Sequence, residues 1–297
     1  VLLDGFKHQG MKVIGVDASS NIVKKANKNG IETILGFFDN DITKKIIENS
    51  GRASVVTATN LFAHIQNYQQ FIIDLKQLLE SSGIFVFQVP HFLKLVQNIE
   101  YDTIYHEHIA YFSLKPLIKF FESNEMELFD VLKTDIDGGS IRCFVGNKGY
   151  FKKSPNIDKI LKEESDEGIY NFERLKKFAK DVKQQKQDLN ILLSKLKQDG
   201  KKIVGVGAPA KGITLINYCK IEKHTLEYIT EKSPLKIGTF CPGMHIPIVP
   251  DEKLLEDKPD YALIFAWNFA NEIMNNLKEY KKSGGKFLIP IPTPKIV

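Results

Sequence analysis

Short apolar runs alternate with helix-length segments through the first 90 residues, and few folds accept that rhythm. The runs cover 11–17, 31–38, 53–60 and 84–90. "MKVIGVD" ends in an acid and reads as a buried strand. The segment 19–30 opens on a serine cap and closes on Gly30, which brackets a helix, and 41–51 is a helix that stops at Gly51. In 68–83, Phe71, Leu75, Leu78 and Leu79 recur at helical spacing, and Gly83 marks the end. Strands alternating with helices of this length imply α/β architecture, a mostly parallel sheet with helices on both faces. A short helix over 114–124 follows. Two further runs, 127–136 and 140–148, are joined through "DGGS" and read as an antiparallel pair.

From Lys152 to about Gly200 the composition turns to lysine. Phe178, Val182, Leu189, Leu192 and Leu196 recur at helical intervals, which predicts an amphipathic connecting helix rather than a basic nucleic-acid arm. The α/β alternation then resumes, with strands in "KKIVGVG", "LEYITEK", "YALIFAWN" and "KFLIPIP". The expected organisation is a first α/β domain over 1–150, a helical connector over 151–200 and a second α/β domain over 201–297.

A chain of 297 residues has room for two ordinary domains. Its 43% hydrophobic and 26% charged residues describe a soluble globular protein. No apolar run reaches the ~18 residues of a membrane span, and "VLLDGFKHQG" does not read as a secretory signal. Cys143, Cys219 and Cys241 lie far apart and form no CxxC, which argues against a disulfide framework or zinc knuckle and suits a reducing cytoplasm. The net charge of +5 rests mainly on lysine, with Arg52, Arg142 and Arg174 the only arginines. That pattern favours small anionic substrates over nucleic acid. Nothing in it specifies an oligomeric state.

Several residues carry two readings each. Asp17 closes a strand where an acid accepts hydrogen bonds from ribose hydroxyls, yet the same carboxylate serves equally as a helix N-cap. Asn60 and His64 follow the third strand at the ligand-binding edge of such a sheet; His64 is as well explained as a satisfied, partly buried histidine. "YHEH" sets Tyr105, His106, Glu107 and His108 side by side. It is a polar loop, or a place where a histidine takes a proton, a carboxylate orients the ring and a phenol donates to a developing oxyanion. Spacing alone does not choose the base. Gly139, Ser140 and Arg142 form either an ordinary hairpin turn or a close approach to an anionic ligand. "GVGAPAKG" is half of a dinucleotide fingerprint, interrupted by Pro209; its turn offers amides to a phosphate, with Lys211 as counter-charge. By itself 231–248, with Lys236 and His245, reads as a loop.

Taken together, "FAHI", "YDTIYHEHIAYFSL", "DGGSIR", "GAPAKGITLIN", "PGMHIPI" and "AWNF" resemble, in this order, the S-adenosylmethionine-dependent C-methyltransferases that act on nucleotide-linked keto-deoxysugars in deoxysugar biosynthesis. The resemblance runs from about Val1 to the end. It implies a class I methyltransferase domain with a Rossmann-like sheet, then a C-terminal Rossmann-like domain that helps bind the nucleotide sugar. The family's N-terminal zinc module has no counterpart in this sequence, so zinc is expected only there. "VLLDGFKHQG" resembles the helix just after the first strand and Gly-rich loop, which implies an N-terminally truncated core. By resemblance His108 matches the base, with Glu107 and Tyr105 as companions that either assist it or hold the sugar and enolate oxygen. Asp17, Ala18, Phe38, Asn60 and His64 fall on the S-adenosylmethionine side. Gly139, Ser140, Arg142, Gly207, Ala208, Lys211, Gly212, Thr214, Asn217 and His245 are expected to contact the sugar nucleotide. The implied reaction is enolate formation next to a ketone, followed by attack on the sulfonium methyl group. The alternatives are a fragment that binds sugar nucleotide without catalysis, and a dehydrogenase using "GVGAPAKG".

Overall fold

The computed structural model describes residues 2–297. Two compact units are present: one of residues up to Gln88 with 116–132 and 142–157, the other of 89–115, 133–141 and 158–297. The segments bearing "YHEH" and "DGG" therefore group with the C-terminal half.

In the first part of the chain, helix α1 (Leu2–His8) leads into β1 (Gly15–Asp17), α2 (Ser20–Lys28), β2 (Thr33–Leu35), α3 (Asn40–Ser50), β3 (Ala53–Thr59), α4 (Tyr68–Leu78) and β4 (Leu79–Pro90). Helices α5 (Phe92–Gln97) and α6 (Leu114–Glu122) precede β5 (Met126–Thr134) and β6 (Ser140–Asn147). The sequence predicts one sheet; the hydrogen bonding makes two. Strands β1 and β2 pair in parallel, Gly15 opposite Thr33, as a two-stranded sheet, while the order β3-β4-β6-β5 forms a second. No ladder joins β1 to β3. Strands β3 and β4 are parallel, and the link 135–139 between β5 and β6 is too short for a parallel crossover, so those two run antiparallel. Helix α4 also stops five residues earlier than Gly83 predicts. Leu79 turns extended (φ −72°, ψ 141°) and pairs with Ala53, and its carbonyl accepts from Arg52 Nη1 at 3.2 Å. Strand pairing outcompetes the last turn of helix there.

Phenylalanines fill the core of this unit. Phe62, Phe85, Phe87 and Phe121 are fully buried, and the Phe62 ring lies 4.6 Å from Phe87 and 5.7 Å from Phe71. Tilted and edge-on pairs of this kind add ~0.5–1.5 kcal/mol each beyond burial.

In the second unit α7 (Asn156–Glu167) and α8 (Phe172–Gln198) precede β7 (Ile203–Val206), α9 (Ala210–Cys219), β8 (Ile229–Glu231), β9 (Ile248–Pro250), β10 (Tyr261–Ile264), β11 (Lys286–Ile289) and β12 (Lys295–Ile296). The sheet order is β12-β11-β10-β7-β8-β9, parallel except for β12. Read from β9, that is the 3-2-1-4-5-6 order of a Rossmann sheet, whose crevice lies where the order reverses, between β7 and β10. Val182, Leu189, Leu193 and Leu196 of α8 share a core with Ile203, Leu215, Leu226 and Ile229, so α8 is a layer of this unit. Gly212 is dictated by contact: a Cβ there would sit 2.6 Å from Phe265 Cβ, so only glycine lets α9 lie this close to the end of β10. Among the described residues no helix is long and apolar enough to cross a membrane.

Phe62→Ala should cost about 3–5 kcal/mol of unfolding free energy in the first unit, measured by urea denaturation, because the ring fills a site with no exposure to relax into.

Candidate active site

The loop after α5 begins with a single 3-10 turn, Tyr101–Thr103. The Thr103 hydroxyl donates to the Glu100 carbonyl at 2.7 Å, and the Tyr101 hydroxyl donates to Gln185 Oε1 at 2.7 Å. His108 folds back over this turn. Its Nδ1 lies 2.9 Å from the Thr103 carbonyl oxygen, which can only accept, so Nδ1 carries the hydrogen. Nε2 is then the basic nitrogen of the neutral ring and accepts the Tyr105 hydroxyl at 3.1 Å. The two rings also stack at 4.3 Å. Burial, and next the charge of Glu107, push the Tyr105 phenol above its ordinary pKa, so it stays a donor. His106 and Glu107 are exposed while His108 is half-buried; the segment is a turn, not a strand, and the two histidines face different surroundings.

Beside this loop three distant motifs converge. Asp102 is fully buried and its Oδ2 accepts the Trp267 indole N–H at 2.7 Å, while its Oδ1 has no partner. Lys211 sits 4.6 Å over the Trp267 ring and hydrogen-bonds Asn268 Oδ1. Glu100 is buried and accepts from Asn98 Nδ2 at 2.8 Å. Burial lifts the Asp102 carboxyl to about 6 against the Trp267 bond and the nearby Lys211. Burial lifts Glu100 to about 7, opposed by the Asn98 bond and reinforced by the charge of Asp102. Burial also lowers Lys211, while Asp102, Glu100 and Asp137 hold it up. Lys211 is thus committed to protein partners.

A cavity of about 420 Å³ opens at the β7/β10 switch point, lined in part by Gly207, Ala208, Pro209, Glu231, Lys232 and Lys236. Glu231 ends β8. Its Oε2 accepts the Ala208 amide at 3.0 Å and its Oε1 the Lys232 and Ser233 amides at 2.8 and 3.1 Å. Burial works to raise this carboxyl, but those three amides outweigh it and hold it below the usual range. Lys236 Nζ donates to the Ala208 carbonyl at 2.8 Å.

Asp17 does the work of a cap: its Oδ1 accepts the Ser19 amide at 2.7 Å, while the Ser19 side chain makes no cap bond. Ala18 beside it is exposed. The Phe38 ring packs edge-on against Phe71 at 5.3 Å. Asn60 is exposed, in the left-handed region at φ 53°, with its amide on the Gln88 carbonyl at 3.0 Å, and His64 is half-buried in a 3-10 turn. Arg142 Nη2 donates to Gln88 Oε1 at 2.9 Å within the β4–β6 pair. Ser140 is buried, donating to the Ile136 carbonyl at 3.0 Å, and the Gly139 carbonyl accepts the His91 amide at 3.0 Å. Thr214 bonds back to the Ala210 carbonyl at 3.3 Å, Asn217 ties α9 to the Pro242 carbonyl at 3.0 Å, and His245 is exposed at φ 51°. The structure thus joins Tyr105 with His108, and brings Lys211 into electrostatic reach of Asp102, Glu100 and Asp137. Sequence reasoning missed Glu100, Asp102, Trp267, Asn268, Glu231 and Lys232. Glu231 had a signal: an acid closing the second strand after a Gly-containing turn. Among the described residues no group of three or more His, Cys, Asp or Glu side chains is arranged to hold a metal ion.

Comparison with known proteins gives concordant matches. Residues 135–292 match the family model of a C-methyltransferase C-terminal domain, and residues 1–129 that of a methyltransferase domain. The C-methyltransferase NovU of Streptomyces niveus is 34% identical over 296 residues, covering 99% of this chain and 70% of NovU. Solved S-adenosylmethionine-dependent methyltransferases of Anabaena variabilis and Clostridium acetobutylicum align at 16% and 13% identity with TM-scores of 0.37 and 0.34. They cover 48% and 47% of this chain, and 71% and 76% of their own.

The raised carboxyls make stability fall with pH. Folded Glu100 binds its proton more tightly than the unfolded chain does, so its contribution is full below about 4.5 and lost as pH rises through about 7. The loss is roughly 3 kcal/mol. Glu100→Gln removes it, so the variant should gain on wild type by about 2–3 kcal/mol between pH 5 and pH 8 in urea unfolding curves.

Proposed function

This chain belongs to the C-methyltransferase family, and from that premise we propose that it methylates a carbon beside the ketone of a nucleotide-linked keto-deoxysugar. It is an S-adenosylmethionine-dependent enzyme. The observation that carries the proposal is the state of His108: Nδ1–H anchored on a backbone carbonyl, Nε2 basic and met by a phenol.

A ketone acidifies the neighbouring C–H, and Nε2 of His108 takes that proton. Once protonated, Nε2 can no longer accept the Tyr105 O–H, which is released to donate to the oxygen where negative charge develops. Glu107, exposed beside them, offsets the imidazolium charge. Proton removal and oxyanion stabilisation are thus coupled through one hydrogen bond. When bound, S-adenosylmethionine supplies an electrophilic methyl group. The first unit has residues that fit it: Asp17 keeps Oδ2 without a protein partner for a ribose hydroxyl, and Phe38 offers an aromatic ring for adenine. Ala18, Asn60 and His64 belong with them in this reading. The acceptor's nucleotide suits the cavity at Gly207 and Ala208, where Lys232 supplies positive charge and Glu231, whose Oε2 takes the Ala208 amide, stands at the end of β8. Gly139, Ser140, Arg142, Lys211, Gly212, Thr214, Asn217 and His245 are the remaining sugar-nucleotide contacts in this reading.

A second reading is favoured by one observation, the absence of a ladder between β1 and β3. In it the chain binds the sugar nucleotide without the methyl donor. Calorimetry with each ligand alone separates the two readings.

Incubation with candidate keto-sugar nucleotides and a deuterated methyl donor in heavy water, followed by mass spectrometry, tests the chemistry. His108→Ala should cut methyl transfer by about 10²–10⁴-fold and abolish solvent exchange at the acceptor carbon, with donor affinity unchanged. Undiminished exchange in that variant would sink the base assignment.

A further inference from the structure

We infer that Trp267 and Asp102 are positioning residues for the His108 imidazole, acting through the Thr103 carbonyl; this rests on the reading of His108 as the base. The chain of contacts is continuous. The Trp267 indole N–H donates to Asp102 Oδ2 at 2.7 Å, Asp102 lies in the 3-10 turn Tyr101–Thr103, and Thr103 supplies the oxygen that receives His108 Nδ1–H at 2.9 Å. The other side of the turn is pinned by Tyr101 on Gln185, whose Nε2 donates to the Pro290 carbonyl at 2.7 Å.

The indole is itself fixed. Trp267 opens the 3-10 turn Trp267–Phe269 with two residues between it and β10, and Lys211 covers its face while bonding to the adjacent Asn268. Asp102 has no exposure and its Oδ1 has no partner, so the indole N–H is the side-chain donor that holds this carboxylate in place. Removing that donor leaves the buried carboxylate with only the Asp102 and Thr103 backbone N–H groups for support, so it swings toward them. The turn must then shift, and Thr103 moves with it.

The consequence for His108 is specific. A histidine ring free of partners favours the Nε2–H tautomer, in which Nε2 has no lone pair to take a proton. The Thr103 carbonyl imposes the opposite tautomer. Loosening the turn therefore lowers the fraction of enzyme with a basic Nε2 and leaves the substrate contacts alone. The loss is bounded by the worth of the acid–base step itself, about 10²–10⁴-fold, and a partial shift of tautomer removes only part of it.

The test uses the full chain with 15N-labelled histidine and long-range 1H–15N correlation spectra, His108 being assigned by its loss in His108→Ala. Wild type should show His108 with a protonated Nδ1 and an unprotonated Nε2. Trp267→Phe keeps the ring beneath Lys211 and removes only the N–H. It should move both His108 nitrogens toward a tautomer mixture, leave the exposed His106 unchanged, and lower kcat about 10–100-fold with KM within about twofold. Asp102→Asn retains an acceptor for the indole and should keep most of the wild-type signature; Asp102→Ala should lose it. Should Trp267→Phe not fold, Asp102→Ala carries the same expectation. His108 nitrogens identical to wild type in a folded Trp267→Phe or Asp102→Ala protein would overturn the inference. Nitrogens that shift without any loss of methyl transfer would leave the positioning intact and remove the role of His108 as base.

Discussion

A parallel strand cannot turn straight back into its neighbour, so the chain must cross the sheet before pairing again and every strand ends on the same edge. The second unit depends on that constraint. Strand β7 delivers Gly207 and Ala208 to the edge, β8 delivers Glu231, and β10 delivers Trp267 and Asn268. Residues 56 positions apart in sequence then meet, as Lys211 meets Trp267. The 3-2-1-4-5-6 order leaves a crevice between β7 and β10, and the cavity opens there. Glu231 has taken the amide of Ala208 at the turn where a dinucleotide fold would present it to phosphate. A protein carboxylate in that place argues against the dehydrogenase reading, and Lys236 pairs with that same carboxylate at 3.5 Å.

The polar interior of this unit is expensive. Two carboxyls, a lysine and an indole share a region that burial pushes toward neutrality. Buried ionic groups of this kind rarely add net stability, and replacing them with apolar residues is often neutral or favourable. Their retention is better explained by orientation. The turn Tyr101–Thr103 is held by Asp102 on one side and Tyr101 on the other, and its last carbonyl sets which nitrogen of His108 is basic.

The alternation of short apolar runs with capped helices was enough to read the α/β class, strands β7, β8, β10 and β11 of the second sheet and the long amphipathic helix, while β9 and β12, of three and two residues, did not register. Local pattern failed where a distant partner decided the outcome. Leu79 continues the helical spacing but pairs with Ala53 of β3, and nothing in its own neighbourhood announces that. Ser19 looked like the cap of α2, yet the carboxylate two positions earlier took the amide. The loop 101–114 was conspicuous from its rings alone, and the tautomer of His108 was not, because it depends on where a backbone carbonyl points. Asp102 and Trp267 are separated by 165 residues and only the folded sheet brings them together. Glu100 and Lys211 carry ordinary charges in the sequence; their altered proton affinities come chiefly from burial, adjusted by neighbours that only the fold supplies.

The carboxylate of Glu164 has no exposure, and it receives His91 Nε2 and the Leu114 amide at 2.7 Å each as well as the Tyr170 hydroxyl. His91 and Leu114 bound the stretch that carries Tyr105 and His108. His91 is also bridged to Phe112, and Phe92 donates to the Phe112 carbonyl at 2.8 Å. The mouth of this excursion is therefore stitched shut before any substrate arrives. Closing a loop costs entropy that grows with its length, and here that cost is met during folding rather than on ligand binding. The tip bearing Tyr105 and His108 thus projects from a base fixed by folding alone, and any ordering cost is confined to a few residues.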